Sequence, residues 1–338
     1  MSPLINKFNV LVTDRFDFNA LSWLKVQPEL DLVVLDSTVL PSDPPDLELS
    51  KAQALIVRSK TEINESLLKR APQLKIIVSC TAGFDHIDLL ACQKAGVQVM
   101  VTPDGHTQSA AELTIGLMIG CSRWLPKAHE QVIKGSWDRQ SLTGTELCGK
   151  TLGIVGLGRI GKKVTQIAQA IGLNVIAFDP YIDHKLSQSL NVKMMSYQEL
   201  LLQSHIISFH VPKSKETTHM LRASNLEDID HGVIIVNTSR GDVIDALLLQ
   251  EGLKSRVILA AGLDVFHKEP LPKDSPILKY QNCLFSPHIG ATTTEALSKV
   301  SWDAAYKVIN YVKNQSVTDT LPPNALWYTN PMGFSDQN

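Results

Sequence analysis

Short apolar runs alternate with amphipathic stretches along almost the whole chain. Residues 9–13, 32–35, 54–57, 74–78 and 97–101 read as strands, each a brief apolar run bounded by turn residues. Between them, residues 18–26, 64–70 and 89–95 carry helical spacing, and the proline-rich piece 41–45 reads as a loop. Strand and helix patterns in alternation imply a parallel sheet covered by helices. Five such strands already make a complete open α/β unit.

A long helical stretch follows over 109–134, with Gly116 and Gly120 four apart, a spacing that suits close packing on a neighbour. Pro126 is expected to kink or restart it. Residues 135–149, with Trp137 and Leu142, lack regular pattern. A second α/β series then places strands at 151–155, 174–178, 206–209, 233–237, 259–264 and 283–286, and a last amphipathic helix at 293–313 leads back toward the first unit. The tail after Thr320, with Pro322, Pro323, Pro331 and Gly333, reads as extended or loose. The expected fold class is α/β: two doubly wound parallel-sheet domains with a cleft between them.

The second series opens on Thr151-Leu-Gly-Ile-Val-Gly-Leu-Gly-Arg-Ile-Gly161, a strand, a glycine-rich turn and the start of a helix. Gly156, Gly158 and Gly161 stand in G-x-G-x-x-G register, which serves a tight turn, close approach of a pyrophosphate and helix–strand packing in that order. Phosphates would sit at the helix N-terminus, where free N–H groups and the helix dipole favour negative charge. The next strand ends at Asp179, placed to bond an adenosine ribose and to repel a 2′-phosphate, which favours NAD over NADP. The alternative for Asp179 is a helix cap ahead of Pro180.

Composition narrows the classes. Of 338 residues, 44% are hydrophobic, ample for buried cores, and the formal net charge of −2 offers no case for nucleic acid or an anionic membrane. Five scattered cysteines without a C-x-x-C pair fit reduced thiols in a cytoplasm better than disulfides or a zinc site, and no metal is expected. Asp14, Arg15 and Asp17 argue against a signal peptide, and no apolar run is long enough to span a membrane.

Ligands of open α/β sheets bind beyond the carboxyl ends of strands. Three such segments offer Arg240, Glu269 and His288. Moving a hydride between a nicotinamide and a carbon bearing oxygen requires a proton donor or acceptor at that oxygen, and histidine titrates in the useful range. A glutamate bonded to the imidazole raises its pKa and fixes its tautomer. An arginine fork holds a neighbouring carboxylate by two parallel bonds. Taken singly, Arg240 also reads as a surface salt bridge, Glu269 as a helix-start carboxylate ahead of Pro270, and His288 as a capping or packing histidine.

The runs 135–139 and 144–161, with Asn237-Thr-Ser-Arg-Gly241, Leu263-Asp-Val-Phe266, Glu269-Pro270 and Pro287-His-Ile-Gly-Ala-Thr292, carry a resemblance to the NAD-dependent D-2-hydroxyacid dehydrogenases over nearly all of residues 5–315. The resemblance implies a discontinuous, flavodoxin-like substrate domain from residues 1–106 and 292–322, a central Rossmann NAD-binding domain over 107–291 and a tail over 323–338. It makes Arg240 the substrate-carboxylate arginine, Glu269 the partner of the histidine and His288 the acid/base. Arg58, Ser59, Ala82 and Gly83 fall on substrate-binding positions. Cofactor contacts fall on Thr107, the clamp residues with Arg159 and Ile160, Asp179, Pro180, His210, Val211, Pro212, Thr217, Thr238, Ser239, Asp264, His288, Gly290 and Ala291. Asp264 is expected near the carboxamide.

Within that family the chain resembles most the members that oxidise 3-phosphoglycerate for serine synthesis. Glyoxylate or hydroxypyruvate reduction is the alternative, and an NADH-sensing transcriptional corepressor the reading from another class. The turn Val78-Ser-Cys-Thr-Ala-Gly83 lacks an arginine that some phosphoglycerate-oxidising members place there, leaving Arg58, with help from Lys60, to meet a phosphate. His267 and Lys268 stand where acidic or small residues are commoner. No C-terminal serine-sensing module, and so no feedback through one, is expected. Relatives imply a homodimer through the nucleotide domain, using the helix from Ser109 and the segment with Trp137 and Leu142; the alternative is that both cover their own subunit's core.

Overall fold

A computed structural model describes residues 7–35, 43–229, 232–323 and 328. Pro41 and Ser42 of the expected loop, and Pro331 and Gly333 of the tail, lie outside these. The chain divides into two compact units: Met1–His106 with Thr292–Pro331, and Thr107–Ala291.

In chain order the first unit holds β1 (Phe8–Val12), α1 (Phe18–Lys25), β2 (Leu30–Val34), α2 (Asp46–Leu49), β3 (Ala54–Val57), α3 (Glu65–Arg70), β4 (Ile76–Ser79), α4 (Leu89–Lys94) and β5 (Gln98–Val101). The second holds α5 (Thr107–Ser122), α6 (Leu125–Ile133), β6 (Thr151–Val155), α7 (Arg159–Ala170), β7 (Asn174–Phe178), α8 (His184–Ser189), β8 (Lys193–Met194), α9 (Tyr197–Gln203), β9 (Ile206–Phe209), β10 (Val233–Asn237), α10 (Ala246–Ser255), β11 (Ile258–Leu263) and β12 (Cys283–Phe285). The chain then returns to the first unit with α11 (Thr294–Val312) and β13 (Thr320–Leu321).

The first sheet runs β13-β5-β4-β3-β1-β2 and is parallel except for β13, which pairs antiparallel with β5 through Thr320–Met100 and Leu321–Val99. Direction reverses between β1 and β3, and Arg58 follows β3 at that switch point. The helices start where side chains close their free N–H groups: Asp17 caps α1, Asn64 α3, Asp88 α4 and Thr293 α11. Helix α11 buries Val300, Ala304, Ala305 and Val308 against Val10, Ile56, Ile76 and Met100 of the strands.

The second sheet runs β12-β11-β10-β9-β6-β7-β8, all parallel, with its reversal between β6 and β9. Its edge strand β8 has only two residues, too few to show any periodicity in the sequence. The helical stretch expected over 109–134 is two helices, because Trp124 takes a left-handed φ of 54° between them and Pro126 lies in the first turn of α6. Gly120 packs closely, since a Cβ there would meet Leu284 at 2.6 Å; Gly116 has nothing within 4 Å and needs no such approach. All five cysteines are free, four of them buried. Among the described residues no helix is long and apolar enough to cross a membrane.

Candidate active site

Three loops of the second unit converge at the carboxyl ends of β10, β11 and β12. His288 Nδ1 bonds Glu269 Oε2 at 2.7 Å, and Glu269 Oε1 accepts the Phe266 N–H at 2.9 Å. The carboxylate holds a proton on His288, whose pKa is raised despite burial; the nearby Arg240 cation works the other way but does not reverse the shift. Burial pushes the Glu269 pKa up, yet its bonds to His288 and Phe266 and the charge of Arg240 bring it below the usual carboxylate range.

Arg240 follows β10. Asn237 braces it by donating from Nδ2 to the Arg240 carbonyl at 2.9 Å, while its Oδ1 accepts both the N–H and the hydroxyl of Ser239. The Arg240 guanidinium donates to the Ser239 carbonyl at 2.7 Å. Gly241 then lets two loops touch: a Cβ there would lie 1.9 Å from the Phe266 carbonyl carbon and 2.4 Å from the His267 nitrogen. Any larger residue would drive the arginine loop away from the glutamate loop.

Asp264 is fully buried beneath the histidine loop. Its carboxylate accepts the Ser286 hydroxyl at 2.6 Å and the N–H groups of Ile289 and Gly290 at 2.8 Å each. Its carbonyl accepts the His288 N–H at 2.8 Å. His288 itself has a φ of +54°, a left-handed conformation that this set of bonds maintains.

The glycine clamp lies at the β6–β9 switch point. Gly156 has a φ of +93°, and a Cβ there would meet the His210 carbonyl oxygen at 2.6 Å, so β6 and β9 close tightly there. Gly161 presses as closely on the Gly156 carbonyl, whereas a Cβ on Gly158 would meet nothing within 4 Å. Asp179 takes the Leu157 N–H and the Tyr181 N–H on its two oxygens at 2.9 Å each. Burial pushes its pKa up, with those two bonds and Lys162 opposing. Capping of α8 falls to Asp183 instead, leaving Asp179 at the strand end beside the clamp.

The other expected cofactor positions are distributed around this edge. His210 bonds Ser208 Oγ at 2.9 Å, and its protein surroundings push its pKa down to about 3, leaving a neutral ring. The Thr217 hydroxyl is used inside its own loop, on the Pro212 carbonyl at 2.6 Å and the Ser214 N–H at 2.8 Å. Thr238 Oγ1 meets Thr114 Oγ1 of α5 at 2.8 Å. Arg159 and Ile160 open α7, Val211 and Pro212 follow β9, Pro180 follows Asp179, and Ala291 ends the histidine loop.

In the first unit, Arg58 and Ser59 leave the end of β3 and the Ala82–Gly83 turn leaves the end of β4. That turn is fixed by side chains to which the sequence assigned no role. Ser79 Oγ meets Thr81 Oγ1 at 2.6 Å and His86 Nε2 at 3.1 Å, Thr81 donates to the Gly83 carbonyl at 2.7 Å, and His106 Nε2 donates to the Cys80 carbonyl at 3.1 Å. Asn237 and Ser286 were likewise missed as supports, though a polar residue ending an apolar strand is a visible signal for such a role.

With this geometry in place, the NAD-binding domain pattern of the D-isomer specific 2-hydroxyacid dehydrogenases matches residues 115–290. The chain belongs to this family. Over 274 residues it is 38% identical to the D-3-phosphoglycerate dehydrogenase of Archaeoglobus fulgidus, covering 81% of this chain and 52% of that protein. The chain spans about half the length of the curated relatives it matches first. A glyoxylate reductase from Paecilomyes thermophila superposes with a TM-score of 0.83 at 25% identity, over 94% of this chain and 99% of that one. A D-lactate dehydrogenase from Aquifex aeolicus, solved with NAD and lactic acid, gives 0.78 at 29% identity, over 90% and 96%.

As in its family, the chain carries an NAD-binding domain, and its residues fit that cofactor. The space before Gly158 leaves the α7 N-terminus open to a pyrophosphate, and no side chain caps that helix. The Thr107 hydroxyl is buried without a protein partner at the start of α5, a donor ready for a bound group.

Proposed function

We propose that the protein is an NAD-dependent D-2-hydroxyacid dehydrogenase that oxidises 3-phosphoglycerate to 3-phosphohydroxypyruvate, the entry step to serine synthesis. The His288–Glu269 bond carries the reading, because it prepares one ring nitrogen to exchange a proton with a substrate oxygen. Arg240, on the adjacent loop, holds the substrate carboxylate by its fork and so orients the hydroxyl-bearing carbon. Arg58 and Ser59 serve the phosphate, and the N–H groups of the Ala82–Gly83 turn serve the remaining oxygens. Bound NAD supplies the acceptor for the hydride that leaves C2. His288 takes the hydroxyl proton as the carbonyl forms, and Glu269 stabilises the resulting imidazolium. The identity with D-3-phosphoglycerate dehydrogenases supports the phosphorylated substrate.

NADH formation from 3-phosphoglycerate at alkaline pH, beside reduction of phosphohydroxypyruvate, hydroxypyruvate and glyoxylate, tests this. A clear preference for the phosphorylated pair is expected. Preference for the unphosphorylated acids would reject the phosphate role of Arg58 and favour a glyoxylate or hydroxypyruvate reductase. That second reading has support in the Cys80–Gly83 turn, which has no arginine, and in the likeness to a glyoxylate reductase.

Asp179 at the end of β7 underlies the proposed choice of NAD. Asp179→Ala is expected to raise the NADP-to-NAD ratio of kcat/KM about tenfold or more, roughly 1.4 kcal/mol of lost discrimination. An unchanged ratio, measured with both cofactors, would remove that role.

We also propose a cytoplasmic homodimer formed through the NAD-binding domain. Helix α6 buries none of its residues, and Leu125, Val132, Ile133 and Trp137 are 52%, 59%, 71% and 77% exposed. Apolar side chains gathered in one segment suit an interface better than water. Sedimentation velocity showing a monomer at micromolar concentration would reject it.

A further inference from the structure

One ionic bridge outside the proposed catalytic trio joins the loops that carry it. Asp242, two residues after Arg240, is largely buried, with 13% of its side chain exposed. One of its oxygens pairs with His267 Nδ1 and the other with Lys213 Nζ, while its carbonyl accepts the His219 N–H at 2.7 Å. His267 lies two residues before Glu269 and directly after Phe266, whose N–H holds the Glu269 carboxylate. Lys213 directly follows Pro212 on the loop after β9. Asp242 therefore connects the loops of three successive strands: one expected to contact cofactor, one carrying Arg240 and one carrying Glu269.

The 265–272 segment packs Phe266 and Leu271 on the core of its unit and borders a pocket of about 330 Å³, lined also by Gly241, Ile244, Leu249 and Ile277. The sequence motif explains Arg240 and Gly241 and leaves Asp242 without a role, and His267 is one of the departures from the family pattern.

We propose that Asp242 is a positioning residue that holds the Arg240 and Glu269 loops in register through Lys213 and His267. This rests on the proposed roles of Arg240 and Glu269. Both partners are half exposed or more, which keeps each tie modest. Asp242→Asn is expected to lower kcat/KM for the hydroxyacid by about tenfold, with a much smaller change in KM for NAD, and Lys213→Met or His267→Gln by about threefold each. In the Asp242→Asn background, either partner change is expected to add nothing, and Asp242→Glu to restore part of the rate. Wild-type kinetics in Asp242→Asn, additive losses in the double variants, or an equal loss of NAD affinity would overturn the proposal.

Amide hydrogen exchange separates this from failure of the catalytic reading. Should the wild-type protein turn over no hydroxyacid, the assignment of Arg240 and Glu269 falls. Faster exchange of residues 241–243 and 265–269 in Asp242→Asn would still establish the bridge, and unchanged exchange would overturn it.

Discussion

Replacing His288 with alanine is expected to lower kcat by about 10²–10⁴, the range for a positioned acid/base, while NAD affinity is retained. The expectation comes from where the ring sits. Its Nδ1 is committed to Glu269, which in the proposed reaction leaves the other nitrogen to exchange the proton, and no histidine elsewhere in the unit shares this pairing with a glutamate among the described residues. Titration calorimetry with NAD and steady-state rates with the hydroxyacid check the two halves separately. A rate within tenfold of wild type would remove His288 as the acid/base.

The Glu269 bond adds a dependence on pH whose direction follows from the raised His288 pKa. In the proposed reaction oxidation requires a neutral imidazole, so its rate is expected to rise as pH passes upward through that pKa. Reduction requires the imidazolium, so its rate falls over the same interval. Glu269→Gln withdraws the main cause of the upward shift, and both limbs are expected to move to lower pH. Rate profiles in the two directions measure this. A limb that stays in place would show that another group sets it.

Much of the fold was legible because it rests on local regularities. Apolar runs such as those in β3, β4 and β9 are buried at every position, so each announced a strand, and helix starts were marked by Asn64 and Thr293, which cap α3 and α11. What escaped notice depends on distant partners. Strand β13 exists because Thr320 and Leu321 find the free edge of β5, and nothing local to that proline-rich tail records it. The break at Trp124 was signalled by Pro126, but the left-handed turn preceding the proline was not.

The site divides in the same way. Arg240, Glu269 and His288 stood out because their residue types match a chemistry and each lies just after a strand. Their supports did not. Nothing in the sequence says that Gly241 touches Phe266, that Asn237 braces Arg240, or that the carboxylate of Asp242 meets Lys213 and His267, since these contacts join loops 25 or more residues apart or depend on a single turn's geometry.

Asp264→Ala is expected to destabilise the folded protein by about 3 kcal/mol, since it strands the buried Gly290 N–H, the part-buried Ile289 N–H and a hydroxyl that now share one carboxylate. A second effect follows from the backbone. His288 is held at a φ of +54°, and left-handed residues other than glycine cost about 1–3 kcal/mol and persist only where surrounding contacts enforce them. Without the bonds to Ile289 and Gly290 the loop is free to relax, and a displacement of about 1 Å at a catalytic group is enough to cost on the order of 10² in rate. Denaturant unfolding and kcat should therefore fall together, with NAD affinity little changed. The resemblance to relatives instead places Asp264 against the cofactor carboxamide, and the same variant separates the two roles. Weaker NAD binding with an unchanged unfolding midpoint would make Asp264 a cofactor contact; lost stability with intact NAD binding would make it the anchor of the histidine loop.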